Sequence, residues 1–162
     1  MKTRDKVAIA AIPAGLALLW FLRGRAGASA MLEHEEHQFL ISDIRLNPYK
    51  RFYTPEDTVK MDFDITYLGP LPEFKLGTAE DADGRIAFIQ SWEGHRDLTW
   101  LLDGIFKELA RDVPQHYAHG GQFFYAVDET KPFSFALELW APSAWPLTMW
   151  DHANLATVEV VV

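Results

Sequence analysis

The 162-residue chain contains no cysteine, which excludes disulfides, thiolate metal sites and a cysteine nucleophile. That absence says little about compartment, because a domain of about 130 residues is stable without covalent staples. Also missing are the G-x-S-x-G elbow, the P-loop and the dinucleotide fingerprint. Positive charge is scarce beyond the first thirty residues. Lys2, Arg4, Lys6, Arg23 and Arg25 against Asp5 give residues 1–30 a charge of +4, so the overall −8 leaves −12 on residues 31–162. An acidic body repels phosphate backbones, which argues against nucleic acid as its partner. The basic head suits anionic lipid headgroups instead.

No apolar run reaches the usual length of a transmembrane helix; the longest, residues 7–22, has 16 residues. A secretory signal accounts for the basic start and for Ala28-Ser29-Ala30, a sequence of the kind signal peptidase accepts. Against it, the run is just longer than an ordinary signal core, and Arg23 and Arg25 lie between that run and the cleavage sequence. A retained anchor has to bridge a hydrocarbon core of about 30 Å with a helix of about 24 Å. Snorkelling by Lys6, Arg23 and Arg25 makes up the difference, and Trp20 and Phe21 sit where interfacial aromatics are favoured. Leu16, Leu19, Trp20, Phe21, Leu22 and Arg23 are therefore the anchoring residues, and Pro13 is tolerated in such a helix. Three basic residues precede the span and two follow it, which leans the acidic domain to the outside. An interfacial or buried helix is the third option.

What the rest of the chain has is apolar residues, 49% of the total with 14% aromatic, enough to build a packed core. From Gln38 the pattern alternates with period two. Val59, Met61, Phe63, Ile65 and Tyr67 face one way against Lys60, Asp62, Asp64 and Thr66, as in a half-buried antiparallel strand. NPYKRFYTPEDT connects this strand to FLISDIRLN. EFKLGTAE and RIAFIQSW read as two strands joined by a turn at EDADG, and GQFFYAV, PFSFALELW and LATVEVVV supply three more. About seven short strands predict a β-sandwich. One segment departs from period two: Leu98, Leu101, Leu102, Ile105, Phe106 and Leu109 have amphipathic-helix spacing, with Asp97 as N-cap and Pro114 beyond the end. This predicts one helix inserted between the strands.

The stretch ISDIRLNPYKRFYTPEDTVKMDFDITYLGP resembles the opening two strands of immunoglobulin-like adhesion modules of the CARDB or fibronectin type. Pro55, Glu56, Asp57, Thr58 and Val59 match the turn of that family, and Tyr67, Leu68 and Gly69 stand where it has Asn-x-Gly. The resemblance spans about 30 residues. It implies an immunoglobulin-like sandwich of the kind that follows an anchor on cell surfaces, secreted assemblies and virions and has no catalytic residues.

Candidate chemistry is sparse. His34-Glu35-Glu36-His37 and the pair His116 and His119 have i, i+3 spacing, which lacks the i, i+4 separation of a zinc helix. They read as a solvated stalk and a surface loop. Asp81-Ala82-Asp83-Gly84 is a fragment of a calcium loop and reads as a hairpin turn. Asp62 and Asp64 share a strand face that Lys60 and Thr66 mark as wet, so neither is poised for acid/base work. The strongest feature is LWAPSAWPLTMW. Its Trp140, Trp145, Met149 and Trp150, interleaved with Pro142 and Pro146, either cap the sandwich or meet a protein or sugar. The final strand, with Val160 and Val162, offers an apolar edge for pairing with another subunit.

These observations predict a transmembrane anchor at residues 1–25, a linker at 26–37 and a sandwich ectodomain at 38–162. They predict a non-enzymatic structural or attachment subunit of a virion or envelope assembly, oligomeric through protein contacts, with no metal or cofactor. A secreted or anchored module that binds carbohydrate or peptide through the Trp-rich loop is the alternative.

Overall fold

The computed structural model describes residues 28–92, 95–122, 133–142 and 148–161. The described chain is mainly β, built from antiparallel sheets. β1 (Ala28–His34), β2 (His37–Asn47), β3 (Thr58–Tyr67) and β8 (Gln115–Gln122) form one four-stranded sheet in the order β1-β2-β3-β8. β10 (Met149–Val158), β9 (Phe133–Trp140), β5 (Arg85–Trp92) and β6 (His95–Leu101) form a second in that order. β4 (Glu73–Lys75) pairs with β7 (Glu108–Ala110) in a short ribbon.

The alternation in β3 explains the stacking. Val59, Met61, Phe63, Ile65 and Tyr67 are all buried, and the inward residues of both large sheets meet in one core. Phe88 of the second sheet lies 5.7 Å from Tyr117 and 6.3 Å from Phe63 of the first, with Phe135 stacked 5.3 Å behind it. Each such ring removes enough apolar surface from water to contribute about 2–3 kcal/mol. In β2, Phe39 and Ile41 point inward on one phase and Ile44 and Leu46 on the other. Asp43, with φ of 53°, sits in a bulge between Ser42 and Arg45 that adds one residue and resets the phase.

Three expectations are corrected. Most of residues 26–37 is not a linker, because Ala28–His34 forms β1 and the Glu35-Glu36 turn returns the chain into β2, with Glu35 at φ of 53°. Ala30 and Leu32 are buried in the core, and the outward charges of β1 hid their alternation. The expected helix is likewise absent, since residues 95–110 form β6, a single 3-10 turn at Leu102–Gly104 and β7. Of its apolar residues Leu102 and Leu109 are buried, whereas Leu98 and Ile105 are exposed, so no continuous apolar stripe reaches the core. Backbone pairing with β5 outweighs helical spacing here. Finally, β4 and β5 are not a hairpin, because β4 pairs with β7 and β5 crosses to the other sheet. The Asp83 carboxylate accepts the Lys75 backbone N–H at 2.8 Å and holds the crossing loop.

Candidate partner-binding surfaces

The strand registers define two ends of the stack. At the entry end the chain enters β1 at Ala28, opposite Ile44, and β2 leaves three residues further on at Asn47. Phe133 and Val158 pair at that end too. At the far end lie the Glu35-Glu36 turn, Tyr67, Trp140 and Met149. Seven residues of β1 separate the two ends, about 20 Å.

The Trp-rich segment divides between different environments. Trp140 is 6% exposed rather than at the surface. It belongs to a small apolar cluster with Ala87, Ile89 and Ala136 on the outer face of the second sheet. The Trp140 indole N–H donates to the Glu138 carboxylate at 3.0 Å, and the Arg96 guanidinium lies 5.4 Å over its ring. Glu138 is buried, yet it also receives two N–H donors from Arg96, one at 2.7 Å, and His152 Nδ1 lies 3.4 Å away. With its oxygens so occupied, this carboxylate works as a clasp between β6, β9 and β10.

Trp150 is half-buried and stacks on His34 at 4.0 Å with the ring planes 3° apart. The Glu33 backbone N–H donates to Asp151 at 2.6 Å, which ties β1 to β10, the edge strands of the two sheets. Met149 is 47% exposed beside this seam. The structure thus brings His34, Met149 and Trp150 together at the far end. The terminal strand β10 is an edge of the second sheet: Leu155, Ala156 and Val158 are buried in the core, and beyond them Val160 bridges Tyr53 and the Val161 N–H donates to the Tyr53 carbonyl at 2.7 Å. Trp145 and Val162 lie outside the described residues, as do Leu16, Leu19, Trp20, Phe21, Leu22 and Arg23, expected from the sequence to anchor the chain. Among the described residues no helix is long and apolar enough to cross a membrane.

The other candidates are engaged within the fold. His37 shares a 2.8 Å hydrogen bond with the Tyr67 hydroxyl and packs edge-on against Phe74. His34 and His37 therefore serve different neighbours and are not a solvated stalk. His116 pairs with Asp64 at 2.8 Å across β8 and β3, and the His119 side chain is outside the description. Asp81 approaches Lys75 at 3.6 Å. Among the described residues no group of three or more acidic or histidine side chains is arranged to hold a metal ion.

Sequence reasoning missed the loop that follows β2. Tyr49 is 60% and Phe52 46% exposed, and they flank Lys50 and Arg51. The loop is braced from below by buried Tyr53. Its hydroxyl donates to the Pro48 carbonyl at 2.9 Å and accepts the Lys50 N–H at 3.1 Å, and its backbone N–H donates to the Glu159 carbonyl at 2.9 Å. Burial raises the Tyr53 phenol above its ordinary pKa. Lys50 pairs with Asp57, whose carboxyl is held below its usual range by that ammonium and by the Thr54 N–H. Between this loop and residues 157–159 runs an open groove of about 600 Å³. Two aromatics bracketing Lys-Arg between prolines were the available signal.

No protein-family model matches the chain, and no curated protein or solved structure is significantly similar to it.

Proposed function

We propose that the chain is a membrane-anchored, non-enzymatic structural or attachment subunit of a surface assembly, whose immunoglobulin-like sandwich presents its far end to a protein partner. The observation that carries this reading is the two-ended layout. The chain enters at one end directly after the apolar segment at residues 7–22, and Met149, Trp150 and His34 gather at the other. The strand order supports the immunoglobulin-like part. β2-β3-β8 opposite β10-β9-β5-β6 follows the order A-B-E opposite G-F-C-C′, with β1 as an additional edge strand. Support for a structural role comes from the ionisable groups, which are spent on clasps such as Arg96–Glu138, Arg85–Asp103 and Asp64–His116.

Sugar stacking by the Trp-rich segment is less well supported, since Trp140 is buried and His34 covers one face of Trp150. Membrane fractionation with the mass of the mature protein tests the anchor, and light scattering in detergent tests assembly. The expected result is an intact N-terminus, a membrane-bound protein and an oligomer weakened by Met149→Asp. A soluble protein beginning at Met31 refutes the reading.

A further inference from the structure

We propose that the loop after β2, Tyr49 to Phe52, is a second membrane contact that seats the sandwich end-on against an anionic bilayer. This rests on the reading of residues 7–22 as the anchor. Five residues, Arg23 to Gly27, separate Leu22 from Ala28. Even fully extended, those steps reach about 20 Å. The entry end of the sandwich is therefore held close to the headgroups, and Asn47 leaves β2 at that same end.

What stands there fits an interface. Tyr49 and Phe52 are large, exposed and held in place by the Tyr53 and Asp57 hydrogen bonds, so their display is built into the fold. Aromatic side chains of this kind settle at the headgroup level of a bilayer, and Lys and Arg beside them are drawn to anionic lipid. Of the ten basic residues after residue 30, Arg45, Lys50, Arg51 and Lys60 fall within sixteen positions at this end. Arg45 and Lys50 are paired to Asp43 and Asp57, while Arg51 and Lys60 have no ion pair among the described residues. Glu56, Asp62 and Glu159 lie at the same end, so the attraction is local to Arg51 beside Tyr49 and Phe52 rather than a net positive charge of that end. The far end carries Glu33, Glu35, Glu36 and Asp151, which an anionic surface repels. Attraction at one end and repulsion at the other fix the orientation.

The test uses the full chain, which has no native cysteine to interfere with labelling. Thr54→Cys on the loop and Met149→Cys at the far end each carry a polarity-sensitive fluorophore. The labelled proteins are reconstituted into vesicles of phosphatidylcholine alone or mixed with phosphatidylglycerol. In the anionic vesicles the residue-54 label is expected to be quenched several-fold less by an aqueous quencher than the residue-149 label. Arg51→Glu with Phe52→Ser, or the neutral vesicles, should abolish the difference while circular dichroism stays unchanged. Equal quenching of the two labels in protein that resists carbonate extraction overturns the loop contact and leaves the anchor standing. Protection that survives the double substitution also overturns it. Release of the protein by carbonate removes the anchor, and the proposal with it.

Discussion

Substituting Arg96 by Met is expected to destabilise the domain far more than substituting Glu138 by Gln, although both break one ion pair. Glu138 is 1% exposed and lies opposite Ala87, beside the small apolar cluster on the outer face of the second sheet, whereas the Arg96 side chain is 43% exposed. Arg96→Met keeps the aliphatic stem but leaves a buried carboxylate with the Trp140 N–H at 3.0 Å and a distant His152 at 3.4 Å. Stranding one member of a fully buried pair costs about 3–5 kcal/mol. Water can reach Glu138 from the side Arg96 vacates, so the cost falls to the bottom of that range or just below it, about 2–3 kcal/mol. For a domain of this size that lowers Tm by roughly 10 °C. Glu138→Gln retains an acceptor for Trp140 and lets Arg96 turn to water, a loss of about 0.5–1.5 kcal/mol.

The double variant should be more stable than Arg96→Met alone, because removing the charge relieves the burial penalty that the first change exposes. Thermal and urea unfolding of the full chain, followed by near-ultraviolet circular dichroism, measures all three variants. Glu138→Gln equal to or worse than Arg96→Met, or a simple sum in the double variant, would refute the picture of a buried charge that depends on Arg96.

Burial raises the phenol pKa values of Tyr53, Tyr67 and Tyr117, so the fold favours their neutral forms. The stability they contribute is complete below about pH 10 and is lost as pH rises through their folded values. An ultraviolet titration should therefore show these three phenols ionising only together with unfolding. A Cβ added at Gly69 would overlap the Tyr67 ring, so Gly69→Ala should lower stability by about 1–3 kcal/mol. Histidine NMR should report the loss of the His37–Tyr67 hydrogen bond in the same variant.

The strands were legible where one residue type filled every second position. β3 is the clearest case: its five inward residues were named from alternation alone and all are buried. β1 was missed because its inward positions hold only Ala30 and Leu32, and the acidic residues around them resemble a solvated tether. At β6 and β7 the leucine spacing suits a helix, and only the pairing of β6 with β5 and of β7 with β4 decides against it. Spacing records one segment's own periodicity and carries no information about a distant strand. The same limit applies to the surface residues. Sequence shows that Trp140 and Trp150 are near each other, but their separation into a buried clasp and a half-buried stack depends on Glu138 and His34.

The missed strand has the largest consequence for function. If residues 26–37 were a tether, the chain would enter the sandwich at His37, at the end that holds Tyr67, Trp140 and Met149. An anchor at residues 7–22 would then bring Met149 and Trp150 toward the bilayer and leave the Tyr49 to Phe52 loop pointing away. With β1 paired antiparallel to β2, entry moves to the opposite end and the whole domain is inverted. With residues 7–22 as an anchor, the Glu35-Glu36 turn would decide which end of the domain faces the lipid and which faces away. Melting β1 while keeping β2 would lengthen the tether by about 20 Å and remove that choice. Leu32→Asp places a charge at a fully buried position of β1 and is the substitution suited to that purpose.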